Sequence, residues 1–261
     1  MSNLCKMANV LEGSGGSINS YVSKGVNAVM NPVDVTNGIY DNADSIIASG
    51  KDVIGAGMKW CLRLNLLPLY EGVMSETGAD NRMFVRKSER GGFENIHKLF
   101  TKLSENGALP SFVQIDSGLF EELQGISLSF EEQTRMVNSC INAVKAVSPE
   151  CKVIIGSKNS TDNEAAKKWY NRFQVSGGKK FDIISLAYEL SSETFFDLSQ
   201  NMSDLSRRFE ADIIVDISGQ ADAAAADIGI EDLDSAISIV PMERGFGAVY
   251  SSALMDAVAS V

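Results

Sequence analysis

Apolar residues fall along this chain in two alternating rhythms. Short runs dominated by Ile, Val and Leu recur at residues 153–155, 183–186 and 213–215, too uniformly apolar for strands with one wet face. Between them, residues 161–180 and 191–209 mix charged and apolar positions at helical spacing. Continuous apolar strands separated by amphipathic helices are what a parallel sheet covered on both faces requires. Each run ends in polar residues: Ser157 to Ser160, Tyr188 with Glu189, and Asp216 with Ser218. In parallel α/β folds the carboxyl ends of the strands form the functional rim. A βαβαβ unit over residues 152–220 is therefore the organising element.

The same alternation extends to both sides of that unit. Strands are predicted at 4–10, at 26–29 (closed by Asn31-Pro32), and at 58–67, 111–115 and 247–250. Helices are predicted at 18–24, ending at Gly25, and at 41–56, with apolar spacing at Ala43, Ile46, Ile47 and Ile54. Further helices are predicted at 93–106, 129–146, 223–239 and 252–261. Ser129 is the expected N-cap of its helix, with Glu131 and Glu132 favourable near the positive end. Residues 70–92, mixing Glu71, Glu76, Asp80, Arg82, Arg86, Lys87, Glu89 and Arg90, read as a long polar loop. Loops longer than about 15 residues are functional elements or contact surfaces. The GSGGS stretch at 13–17 lacks the lysine and the clear preceding strand of a phosphate-binding loop, and reads as a plain connector. Eight strands alternating with helices, without an evident edge strand, predict an α/β fold: a single (β/α)8 TIM barrel over residues 1–261. Such barrels occupy about 250 residues undivided.

Composition narrows the chemistry. A hydrophobic share of 44% with 22% charged residues is ordinary for a globular protein with a sizeable core. The net charge of −11 argues against nucleic acid or an anionic membrane as partner, since both would be repelled. Cys5, Cys61, Cys140 and Cys151 show no metal-ligand spacing and read as thiols rather than a disulfide framework. The single histidine, His97, lies in the helical stretch FENIHKLFTKL and rules out a multi-histidine metal site. Neither metal nor cofactor is expected. The N-terminal stretch lacks the pattern of an export signal, and no run approaches membrane-spanning length. The expected location is the cytoplasm or a particle assembled inside a cell.

Several segments resemble one known family, the arabinogalactan endo-β-galactanases of the clan A glycoside hydrolases, which are (β/α)8 barrels. GVNAVMNP is similar to that family's second strand and GMKWCLRLN to its third. LPSFVQIDSGLF is similar to the fourth, where the family carries Val-Gln-Val-Gly-Asn-Glu. The strongest similarity runs through AVSPECKVIIG, FDIISLAYE and FFDLSQNMSDLSRRFEADIIVDIS, and GFGAVYSS resembles the eighth strand.

The departures fall on the chemistry that the resemblance implies. Retaining glycosidases need two carboxyl groups about 5 Å apart, one to protonate the leaving oxygen and one to attack the sugar. The family's acid/base Asn-Glu falls on Ser117-Gly118, and its nucleophile falls on Ile217, or on Asp216 with a one-residue shift. The third-strand His-Tyr-Ser-Asp becomes Asn65-Leu66-Leu67-Pro68, and the second-strand arginines become Met30 and Pro32. A fifth-strand histidine becomes Gly156, Tyr-Tyr becomes Tyr188-Glu189, and Tyr-Trp-Glu becomes Tyr250-Ser251-Ser252. Sugar subsites also need aromatic faces, and the chain has 2 Trp, Trp60 in a strand and Trp169 on a helix. The expectation is a barrel without the family's reaction, a subunit of a larger homo-oligomeric assembly whose partners are copies of itself or other subunits. The alternatives are a glycan-binding barrel, with Asn65, Tyr188 and Tyr250 as contacts, or a live hydrolase using Asp116, Asp216 and Glu189.

Overall fold

The computed structural model describes residues 5–9, 26–36, 43–78, 80–116, 123, 126–157, 161–189, 194–218 and 246–251. Eight strands form one sheet: β1 (Cys5–Asn9), β2 (Ala28–Asp34), β3 (Lys59–Asn65), β4 (Phe112–Asp116), β5 (Lys152–Ser157), β6 (Ile183–Glu189), β7 (Asp212–Ser218) and β8 (Phe246–Ser251). Neighbours in sequence pair in parallel, and β8 returns to pair with β1, so the sheet closes on itself as a barrel. The described helices are α1 (Ala43–Gly55), α2 (Leu67–Thr77), α3 (Asn81–Glu105), α4 (Phe130–Val147), α5 (Asn163–Val175) and α6 (Phe195–Phe209). This is an α/β fold of parallel strands. Among the described residues no helix is long and apolar enough to cross a membrane.

Successive strand residues point to opposite faces, and here both faces are buried. One parity fills the lumen: Met7, Ala28, Met30, Cys61, Phe112, Ile154, Ile183 and Ile214 form a plug contributed by seven strands. The other parity, with Trp60, Leu62, Leu64, Val113, Ile115, Val153, Ile155, Ile184, Leu186 and Val215 among it, packs under the helices. Burial on both faces is why the strands read as unbroken apolar runs.

Local chemistry sets the helix ends. Ser129 and Glu132 form a full capping box at α4: the Ser129 hydroxyl accepts from the Glu132 amide, and the Glu132 carboxylate accepts from the Ser129 amide at 2.8 Å. Asp80 and Asp162 cap α3 and α5 by accepting from the amides of Met83 and Ala165. Pro68 sits in the first turn of α2, where its missing N–H costs no helix bond.

The structure corrects two expectations. Residues 70–92 are not one long loop: 70–77 belong to α2, and 81–92 to a 25-residue α3 that continues through the predicted 93–106 helix. The buried stripe of α3 starts at Phe84 and Val85 and continues through Ser88, Gly91, Gly92 and Asn95, so small and polar residues hide the helical period. Asn31-Pro32 does not close β2, which runs on to Asp34 in register with β3. The predicted helices at 18–24, 223–239 and 252–261 and the 13–17 connector lie outside the described residues.

Candidate functional site

Above the apolar plug, the next lumen-facing positions turn polar. On β3 the residue after Cys61 on the same face is Arg63; on β4 it is Gln114 after Phe112; on β6 it is Ser185 after Ile183; on β7 it is Asp216 after Ile214. Gln114 and Ser185 are buried. The Arg63 guanidinium donates through Nη2 to Asp216 Oδ2 across the lumen, with the two side chains 19% and 22% exposed. In a closed ring of eight strands, β3 and β7 stand diametrically opposed. A guanidinium on one wall and a carboxylate on the other thus meet over the plug.

One step further out lies the rim. Asp34 and Asn65 end β2 and β3 in register with each other. The Asn65 amide donates to Asp34 Oδ1 at 2.7 Å, and its carbonyl oxygen accepts from the Leu67 amide at 3.2 Å, fixing its orientation at the start of α2. On β6, Ala187 and Glu189 are both exposed on the lumen-facing parity, so the mouth is open there. Ala187 is in register with Asp216 and Glu189 with Ser218. Glu189 therefore stands two residues beyond the level of Asp216, roughly 7 Å along the strand.

The residues singled out from sequence separate into groups. Asp216, Glu189 and Asn65 share the lumen side of the strand ends. Tyr188 does not: it is 1% exposed, packs in the layer under the helices, and its hydroxyl accepts from Thr194 Oγ1 at 3.4 Å. The strand alternation that puts Glu189 in the mouth turns Tyr188 away from it, which removes it as a sugar platform. Trp60 is likewise buried outside the sheet, donating to Asn31 Oδ1 at 2.8 Å, and Trp169 packs among Phe130, Tyr170 and Phe173. Asp116 ends β4 in register with Gly156, and Tyr250 pairs in register with Ile217. The side chains of Asp116 and Tyr250, and all of Ser117 and Gly118, lie outside the described residues. Sequence reasoning passed over Arg63 and Asp34. Arg63 carried a readable signal, because a charge inside a strand covered on both faces must find a partner.

Comparison with known proteins places this arrangement. The profile described as Glycosyl hydrolase family 53 matches residues 89–255. A protein of Niallia circulans, named as an uncharacterized protein in the bgaB 5′ region, is 34% identical over 119 residues, covering 41% of this chain. The match spans 32% of that relative's length. Among solved structures, the family 53 catalytic domain of Ignisphaera aggregans superposes with a TM-score of 0.72 at 14% identity, over 90% of this chain and 76% of that one. A family 1 β-glucosidase from Thermotoga maritima superposes with a TM-score of 0.63 at 10% identity, over 90% and 75%.

Proposed function

The chain belongs to glycosyl hydrolase family 53, and from that premise we propose that it is one (β/α)8 domain over residues 1–261 that binds a β-galactan-type glycan in its mouth without cleaving it. The observation that carries this reading is the make-up of the strand ends. They offer hydrogen-bonding groups in Asp34, Asn65 and Glu189, while the resemblance puts the family's proton donor on Gly118. A glycine has no proton to give a leaving oxygen, and Asp216 reaches one methylene less far than a glutamate. Misplacements of about 1 Å in a reacting group can cost about a hundredfold in rate. Hydrogen bonding to sugar hydroxyls tolerates such changes far better than catalysis does.

Isothermal titration with β-1,4-galacto-oligosaccharides, beside a reducing-end assay on galactan and arabinogalactan, tests the proposal. Binding without release of reducing ends is expected, and binding should weaken on Asn65→Ala or Glu189→Ala. Release of reducing ends that Asp216→Asn abolishes would establish the second reading, a live hydrolase. That reading is favoured by Asp216 facing the lumen beside a guanidinium. The assembly role is a separate proposal. Residues 70–92, read from the sequence as a polar loop that could serve as a contact surface, are largely helical with much of one face packed on the barrel. Light scattering decides it: a mass of several protomers favours assembly, a single protomer the glycan-binding reading.

A further inference from the structure

The Arg63–Asp216 pair joins opposite walls of the barrel and occupies the middle of the lumen. We propose that it is a cross-barrel strap: it couples the β3 and β7 walls and crosses the floor of the mouth, with the β6 side beside Ala187 still open, so that a ligand is held at the level of Asp34, Asn65 and Glu189 above Asp216. The level at which a ligand stops rests on the glycan-binding reading; the strap itself does not.

Three observations converge on the strap. The pair joins strands on opposite sides of a closed ring, so it spans the lumen instead of lining it. It stands directly over the plug of Met30, Cys61, Ile154 and Ile214, with no second polar level beneath it on β3 or β7 until Lys59 and Asp212 at the other end of the barrel. Both side chains are about four-fifths covered, so the contact between them is largely shielded from water. Removing one side chain takes the cross-lumen contact from the other charge, whereas removing both takes away the two charges together.

The test is a double-mutant cycle read by urea denaturation of the full chain, using Arg63→Met, Asp216→Leu and the double variant. A charge-swapped variant, Arg63→Asp with Asp216→Arg, guards against a single change that fails to fold. With a strap, each single variant lowers the urea midpoint, and at least one double variant recovers more than half of the summed loss. Additive losses in both doubles would overturn it. Accessibility of Asp216 in the unaltered protein gives a second readout that a packing role alone would not move. The probe is 2,4-dinitrophenyl 2-deoxy-2-fluoro-β-D-galactoside. An accessible carboxylate would attack its anomeric carbon and expel dinitrophenolate with the electron pair of the broken C–O bond, without needing an acid. Intact-mass spectrometry should show no adduct on the strapped protein, and an adduct mapped to Asp216 would overturn the proposal. If galacto-oligosaccharide titration shows no binding while the cycle still shows coupling, the glycan-binding reading fails and the strap stands.

Discussion

Gly50 governs the position of Trp60 through the side chain it lacks. A Cβ at Gly50 would stand 2.3 Å from the indole, so α1 can lie on the ring only because that position is bare. Gly50→Ala should therefore destabilise the protein by about 1–3 kcal/mol, the usual cost of overpacking. Alanine's better helix propensity, worth about 1 kcal/mol, offsets only part of this. A urea midpoint at or above that of the parent would contradict the close contact. The thiols follow the same logic of enclosure. Burial pushes Cys140 and Cys151 up to about 12 and Cys5 to about 11. At pH 8 these three should stay unreactive toward Ellman's reagent until the chain unfolds, and prompt reaction of the native protein would refute that.

At the scale of elements, the α4 capping box makes a pH-dependent contribution whose sign can be worked out. Hydrogen bonds from the Ser129 amide and hydroxyl hold the Glu132 carboxyl below the usual carboxylate range. A depressed folded value means the stabilisation is fully present above the unfolded value of about 4.3 and is lost as pH falls through the folded one. The difference in stability between the parent and Glu132→Gln should thus be about 1 kcal/mol or less near pH 6 and shrink toward pH 3. A difference that grows on acidification would reverse the assignment. This cap was readable in the sequence, since Ser129 and Glu132 stand three apart before an apolar run. The strands were readable too, because two-sided burial writes them as Ile and Val runs. The first half of α3 was not. Gly92 lies where a Cβ would meet Cys140 Sγ at 3.2 Å, and Gly91 where one would meet Leu69 at 3.3 Å. Close helix contact selected small residues there, and small residues leave no hydrophobic period. The mouth was half readable: strand ends located Asp216, Glu189 and Asn65, while the turn of Tyr188 away from them follows from counting alternate residues along β6.

For the whole molecule, two separate cores carry the architecture of the barrel. The plug in the lumen and the layer under the helices hold the barrel closed without help from the strand ends. Substitutions at those ends cost little stability unless they break a charge pair, so a site can drift while the fold persists. Glu189→Ala should accordingly leave the unfolding free energy within about 0.5 kcal/mol of the parent, as surface changes usually do. Asn65→Ala also removes the bond to the Leu67 amide at the start of α2 and should cost about 0.5–1.5 kcal/mol, read as a lowered urea midpoint.

The pairing of β8 with β1 has a consequence for synthesis. Residues 246–251 must find residues 5–9 across nearly the full length of the polypeptide, a contact of very high sequence separation and so a slow one. Until the last strand emerges from the ribosome, the nascent sheet carries raw hydrogen-bonding borders on β1 and β7, which invite pairing with other chains. A product truncated at residue 245 should collect in inclusion bodies where the 261-residue chain is recovered in the supernatant.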